Sequence, residues 1–110
     1  MNNMNDSIGK SQLTEEIIKE LKILYDPEIP INIYDLGMIY DVEIDDDNNV
    51  RILMTLTAPN CPVAESLPAD VKKAVENIKG VKSCHVEVTF DPPWDQSMIS
   101  DAALLELGLL

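Results

Sequence analysis

Residues 38–57 read MIYDVEIDDDNNVRILMTLT. Met38, Tyr40, Val42 and Ile44 alternate with Ile39, Asp41, Glu43 and Asp45. Val50, Ile52, Met54 and Leu56 alternate in the same way with Arg51, Leu53, Thr55 and Thr57. An apolar period of two is the pattern of a half-buried strand, because successive side chains point to opposite faces. Between the two runs, Asp46, Asp47, Asn48 and Asn49 have turn chemistry, so the whole stretch reads as a hairpin. The acidic run only loosely resembles a calcium loop, since it lacks the central glycine and the terminal bidentate glutamate of that loop.

Upstream, Leu13, Ile17, Leu21 and Leu24 recur at helical spacing with Ile18 beside them, which predicts a helix from about Thr14 to Tyr25. Thr14 suits the N-cap, Glu15 and Glu16 suit the positive end of the helix dipole, and Leu13 can staple to Ile18. Asp26-Pro27 should end the helix, because a residue before proline is pushed out of the helical region. Residues 1–10 read as a frayed, flexible leader and residues 11–110 as one domain. The prolines of Asp26-Pro27-Glu28-Ile29-Pro30 make a stiff connector. Asp35-Leu36-Gly37 reads as a turn into the first strand.

Downstream, Val63, Leu67, Val71, Val75 and Ile78 form the apolar stripe of a second helix that follows Cys61-Pro62, with Gly80 as its C-terminal cap. Pro68 falls inside that stripe, so either the helix kinks there or its regular part starts near Leu67. Val81 to Phe90 alternates as a third strand. Cys84, Val86, Val88 and Phe90 share one face, and His85, Glu87 and Thr89 share the other. Asp91-Pro92-Pro93-Trp94 stops it. A short helix from about Ser100 to Leu107 has Ser100 and Asp101 as cap candidates. The order α-β-β-α-β-α predicts an α/β (α+β) two-layer sandwich, a small mixed sheet with helices on one face.

Charge narrows the function. Among 110 residues, 20 are acidic and 8 basic, a formal net charge of -12. Nucleic-acid binding needs clustered Lys and Arg, and an anionic membrane surface repels such a chain, so neither is expected as a partner. The same charge favours solubility, or an acidic face that meets a basic partner. Two cysteines are too few for a disulfide scaffold or a four-cysteine metal site. No apolar signal region or membrane-length run is present, so a reducing cytoplasm is the expected compartment.

Cys61 lies between the end of a strand and the expected start of a helix, with Pro62 suited to the first helical position. Free backbone N–H groups and the helix dipole would favour thiolate there, lowering the pKa from about 8.5. A small buried cysteine is the other reading of the same position. Cys84 shares a face with Val86 and Val88 and reads as core. The hydroxyls of Thr55 and Thr57 either line a site below Cys61 or simply express strand propensity on a partly exposed face. Asp26, Glu28 and Asp35 either assist a thiolate or cap loops. His85 has no second histidine to make a zinc site and reads as surface. No phosphate loop or nucleophile elbow is visible, and no complete catalytic constellation, so the chain is not expected to be an enzyme.

Four segments together resemble a known family. They are Asp26-Pro27-Glu28-Ile29-Pro30, Asp35-Leu36-Gly37, Thr55-Leu56-Thr57 followed by Cys61-Pro62, and Asp91-Pro92-Pro93-Trp94. In this order and spacing they resemble the metal–sulfur cluster assembly factor, or iron–sulfur cluster assembly domain-like, family, from about Ile17 to Leu110. The resemblance implies an accessory role in maturing iron–sulfur proteins, with Cys61 as the functional cysteine. It places Asp35, Thr55 and Thr57 around that cysteine, Asp26 and Glu28 in the acidic-proline segment, and Trp94 at the aromatic position after the double proline, where it could contact a partner. Neither a downstream ATPase domain nor the cysteine-rich segment of the phenylacetate-pathway (PaaD-like) members follows, so the stand-alone bacterial SufT type is expected.

On this reading Cys61 is a candidate ligand for iron or a transient iron–sulfur cluster on its way from a scaffold or carrier to an apo-protein. A cluster usually wants four thiolates, so two chains could each offer Cys61 in a homodimer. The alternative is a metal-free adaptor that links an assembly scaffold to its targets. A third reading is a small cysteine-dependent enzyme with Asp35 or Glu28 as proton partner.

Overall fold

The computed structural model describes residues 2–25, 29–57 and 66–108, with side chains from Gln12 onward. Its elements are α1 (Asn2–Leu21), β1 (Ile39–Ile44), β2 (Asn49–Met54), α2 (Ser66–Glu76), β3 (Ser83–Val88), a 3₁₀ turn (Gln96–Met98) and α3 (Asp101–Glu106). The order matches the sequence expectation, with the 3₁₀ turn added.

The hairpin forms as its alternation requires. β1 and β2 pair antiparallel, with Ile44 opposite Val50 and Glu43 opposite Arg51. Asp45 closes the turn: its carboxylate accepts the N–H groups of Asp47 and Asn49, each at 2.9 Å, and the Asn49 side-chain amide at 3.0 Å. These bonds, the Asn49 side chain first, hold the Asp45 carboxyl below its ordinary pKa. Asn48 supplies the positive φ of 65° that the turn needs, a conformation asparagine tolerates. The run is thus a hairpin turn, as its missing glycine and glutamate indicated.

β3 lies parallel to β2, giving the order β1-β2-β3. A parallel neighbour demands a crossover, and α2 provides it. Leu67, Val71 and Val75 of α2 are buried, together with Val50, Ile52 and Met54 of β2 and Cys84 of β3. Burying a side chain such as Val71 or Leu67 contributes roughly 1.5–3 kcal/mol. From α1, Leu13, Ile17 and Leu21 join the same core, so the sheet carries its helices on the face the apolar alternation marked. Pro68 falls in the first turn of α2, where no helical hydrogen bond is lost, so the regular helix starts beside Leu67 as one of the two readings had it. Val63 lies outside the described residues. At the far end α2 stops at Glu76, so Gly80, at φ 102°, sits in the turn before β3 rather than at the helix cap. Ser100 caps α3, its hydroxyl accepting the Ala103 N–H at 3.2 Å.

Two further expectations are corrected. First, α1 begins at Asn2 rather than Thr14 and ends at Leu21 rather than Tyr25. The stretch read as a frayed leader contains no proline, and extending a nucleated helix is easier than starting one, so its backbone continues the helix. At the other end the chain tightens before Asp26-Pro27 is reached: Ile23 donates to Glu20 and Leu24 to Leu21, and Tyr25 then bridges to Asn32. Second, β3 runs from Ser83 to Val88 rather than from Val81 to Phe90, and Phe90 is 42% exposed. β3 ends at Val88, so the alternation that places Val86 and Val88 no longer governs Phe90.

Candidate functional site

The described part of the candidate site is a clasp between the Asp35-Leu36-Gly37 turn and the segment that follows β3. In the turn, Asn32 and Asp35 bond reciprocally. The Asp35 N–H donates to Asn32 Oδ1 and the Asn32 amide donates to Asp35 Oδ2, both at 2.9 Å. The backbone continues the lock, with Leu36 N–H on the Asn32 carbonyl and Met38 N–H on the Ile33 carbonyl. The Asp35 carboxylate therefore serves the turn, which is the capping alternative raised for it.

The C-terminal segment grips this turn and the start of β1 at four places. Trp94 Nε1–H donates to the Leu36 carbonyl at 2.7 Å. Ser100 N–H donates to the Asp35 carbonyl at 2.8 Å. The Tyr40 hydroxyl, at the start of β1, donates to the Pro92 carbonyl at 2.7 Å. Gly37, at φ 80°, lies so close to Met98 that a Cβ on it would fall 2.4 Å from the Met98 carbonyl oxygen. Glycine is required there twice over, by the positive φ and by the close approach.

Thr55 joins the clasp from β2 through the backbone, its N–H donating to the Met38 carbonyl at 2.8 Å. It is fully buried, so its side chain does not sit on a partly exposed strand face. The reason is that β2 leaves its regular ladder at Met54, and Thr55 and Leu56 both turn inward. Thr57 is half-buried. Backbone bonds thus tie the segment that carries Asp35 to the segments that carry Thr55 and Trp94, three separate sequence motifs. Cys61, Pro62, Asp26 and Glu28 lie outside the described residues.

Sequence reasoning missed the partners that make the clasp: Asn32, Tyr40, Met98 and Ser100 in its second role. Only Asn32 left a local signal, an Asn three residues before Asp35 in a turn. The others act over long sequence separations. Trp94, expected as a partner contact, uses its indole N–H within the chain and packs against the core.

Cys84 is 4% exposed and its thiol is pushed up to about 11, by burial first and by the nearby Glu76 carboxylate second. It is a protonated core thiol near neutral pH, as its strand face predicted. His85 is exposed on the outer face of the sheet, also as predicted. Among the described residues, no three His, Cys, Asp or Glu side chains are placed to share a metal ion. No described helix is long and apolar enough to cross a membrane.

The arrangement matches a known family. The model of the iron-sulfur cluster assembly protein family matches residues 14–88. The chain belongs to this family. Within it, a Porphyromonas gingivalis protein named Fe-S protein maturation auxiliary factor is 50% identical over 99 residues, covering 90% of this chain and 94% of that protein. The Staphylococcus aureus Fe-S protein maturation auxiliary factor SufT is 33% identical, covering 79% of this chain and 99% of that protein. A solved domain of unknown function (DUF59) from Bacillus anthracis superposes with a TM-score of 0.84 at 33% identity, over 94% of this chain and 99% of that one. The family assignment made from four short segments is therefore correct, and the relatives are of the SufT type.

Proposed function

We propose that this family member is an accessory factor in the maturation of iron–sulfur proteins and that it acts through Cys61, handling iron or a transient cluster as cargo. The observation that carries the reading is the clasp. It joins three of the four motifs that mark the family, at the end of the sheet from which the chain departs toward Cys61. The chain extends at most about 3.6 Å per residue, which tethers Cys61 within about 15 Å of Thr57. Of the two cysteines, Cys84 is unsuited to ligation because its thiol is buried and protonated. That leaves Cys61 as the thiolate the chain can offer. One thiolate does not complete a cluster, so the remaining ligands come from a second chain, a small thiol or the scaffold or target itself. Auxiliary factors do not need a catalytic constellation, and the cargo's own chemistry accounts for the ligand exchange.

The test is transfer. A cluster-loaded scaffold and an apo-protein are mixed with catalytic amounts of the factor, and the rate of holo-protein formation is followed by the target's activity. The wild-type chain should speed transfer, Cys61→Ser should not, and Cys84→Ala should match the wild type. Equal acceleration by Cys61→Ser would overturn the role given to that cysteine.

A further inference from the structure

The sheet has two edges, and they are defended unequally. At the β1 edge the ladder is broken by a register shift between Ile39 and Asp41, and the outward Val42 N–H is taken by the Asp41 carboxylate at 3.0 Å. Bulges and local side-chain bonds of this kind blunt an edge against pairing with another strand. The β3 edge has one such device, at one end. The Cys84 N–H faces away from β2 and bonds the Glu76 carboxylate at 3.3 Å. Thr89 N–H turns the other way, onto the Met54 carbonyl. The alternation between them leaves the N–H groups of Val86 and Val88 directed outward, without a partner among the described residues. No proline or lysine interrupts Ser83–Val88.

We infer that the β3 edge pairs antiparallel with the β3 edge of a second copy of this chain, about a two-fold axis through Val86, to make a six-stranded sheet across a homodimer. In this register Val86 faces the partner's Val86, and the two exchange both backbone hydrogen bonds. Val88 N–H faces the carbonyl of the partner's Cys84, the one group at that position which Glu76 does not occupy. On the outer face His85 stands opposite the partner's Glu87, and Glu87 opposite the partner's His85. Directly opposed residues at non-hydrogen-bonded positions bring their side chains closest, so the register places a complementary pair on each side of the axis.

Charge also selects this edge for self-association. A chain of net charge -12 repels its own copy over most of its surface. Residues 66–88, which form α2 and β3, hold four of the eight basic residues (Lys72, Lys73, Lys79, Lys82) and only three of the twenty acidic ones (Asp70, Glu76, Glu87). This is the part of the molecule that approaches a second copy without a large electrostatic penalty. An isologous interface of this type is self-closing and yields a dimer rather than a filament.

The inference goes beyond the cargo role and is tested without cargo. Metal-free protein is examined by sedimentation equilibrium under reducing conditions as the wild type, Glu87→Lys, His85→Glu, the double variant and Val86→Pro. The wild type should show twice the 12.3 kDa chain mass. Each single variant should fall to the monomer mass: His85→Glu sets carboxylates opposite one another, and Glu87→Lys removes the carboxylate that accepts the His85 ring N–H. The double variant, which sets a glutamate opposite a lysine on each side of the axis, should recover the dimer. Val86→Pro removes the central donor and should be monomeric. A monomeric wild type, a dimer unaffected by either single charge variant, or a double variant that stays monomeric would overturn the register. Because no iron is present, none of these results bears on the role of Cys61.

Discussion

Gly37→Ala tests the clasp directly, because the chain contains a single tryptophan and that tryptophan is part of it. The substitution has two costs. An L-residue held at positive φ loses about 1–2 kcal/mol. The new methyl would also lie 2.4 Å from the Met98 carbonyl oxygen and 2.8 Å from Met98 Cβ, so Met98 and the 3₁₀ turn must move. Forcing a methyl into a closed contact adds about 1–3 kcal/mol. Gly108→Ala is the matched control: φ is 77°, but among the described residues no atom beyond its chain neighbours lies within 4 Å of the added methyl. It carries the backbone cost alone, reduced by the roughly 0.4–1 kcal/mol that a stiffer unfolded chain returns. Urea unfolding followed by Trp94 fluorescence and by circular dichroism should place Gly37→Ala about 1–3 kcal/mol below Gly108→Ala. The native emission of Gly37→Ala should also shift, as the indole leaves the Leu36 carbonyl. Equal stability of the two variants, with unchanged native emission, would refute the packing argument.

Two other outcomes are expected. Trp94→Phe keeps an aromatic ring but loses the 2.7 Å hydrogen bond to Leu36, so it should lower stability by about 1 kcal/mol in urea unfolding followed by circular dichroism. Cys84 gives a pH effect. Its folded thiol titrates near 11 against an ordinary 9.0, so between those values the unfolded chain releases a proton that the native one keeps. Its contribution to stability is therefore fully present below about pH 9 and lost as pH rises towards 11. Unfolding measured across that window should show a steeper fall for the wild type than for Cys84→Ala.

The fold was legible wherever a local period met a local stop. The alternation in residues 38–57 and the stripe Leu67-Val71-Val75 each record which face is buried, and the structure buries those faces. The misreadings fall where the period stops governing. Phe90 keeps the parity of β3 after the strand has ended, and Thr55 turns inward after β2 has left its ladder. At α1, the cap chemistry of Thr14 favoured a start there, yet nothing before it stops a helix from continuing. For the site, the motifs named Asp35, Thr55 and Trp94 but not what joins them. The bonds from Trp94 to Leu36 and from Tyr40 to Pro92 span 58 and 52 positions, and no local pattern encodes such a pairing.

The central claim is that Cys61 is the cysteine that handles the cargo. Anaerobic reconstitution with iron and sulfide, followed by the visible spectrum of the wild type, Cys61→Ser and Cys84→Ala, tests it most directly. The account predicts colour in the wild type and in Cys84→Ala and none in Cys61→Ser. Undiminished colour in Cys61→Ser would contradict it.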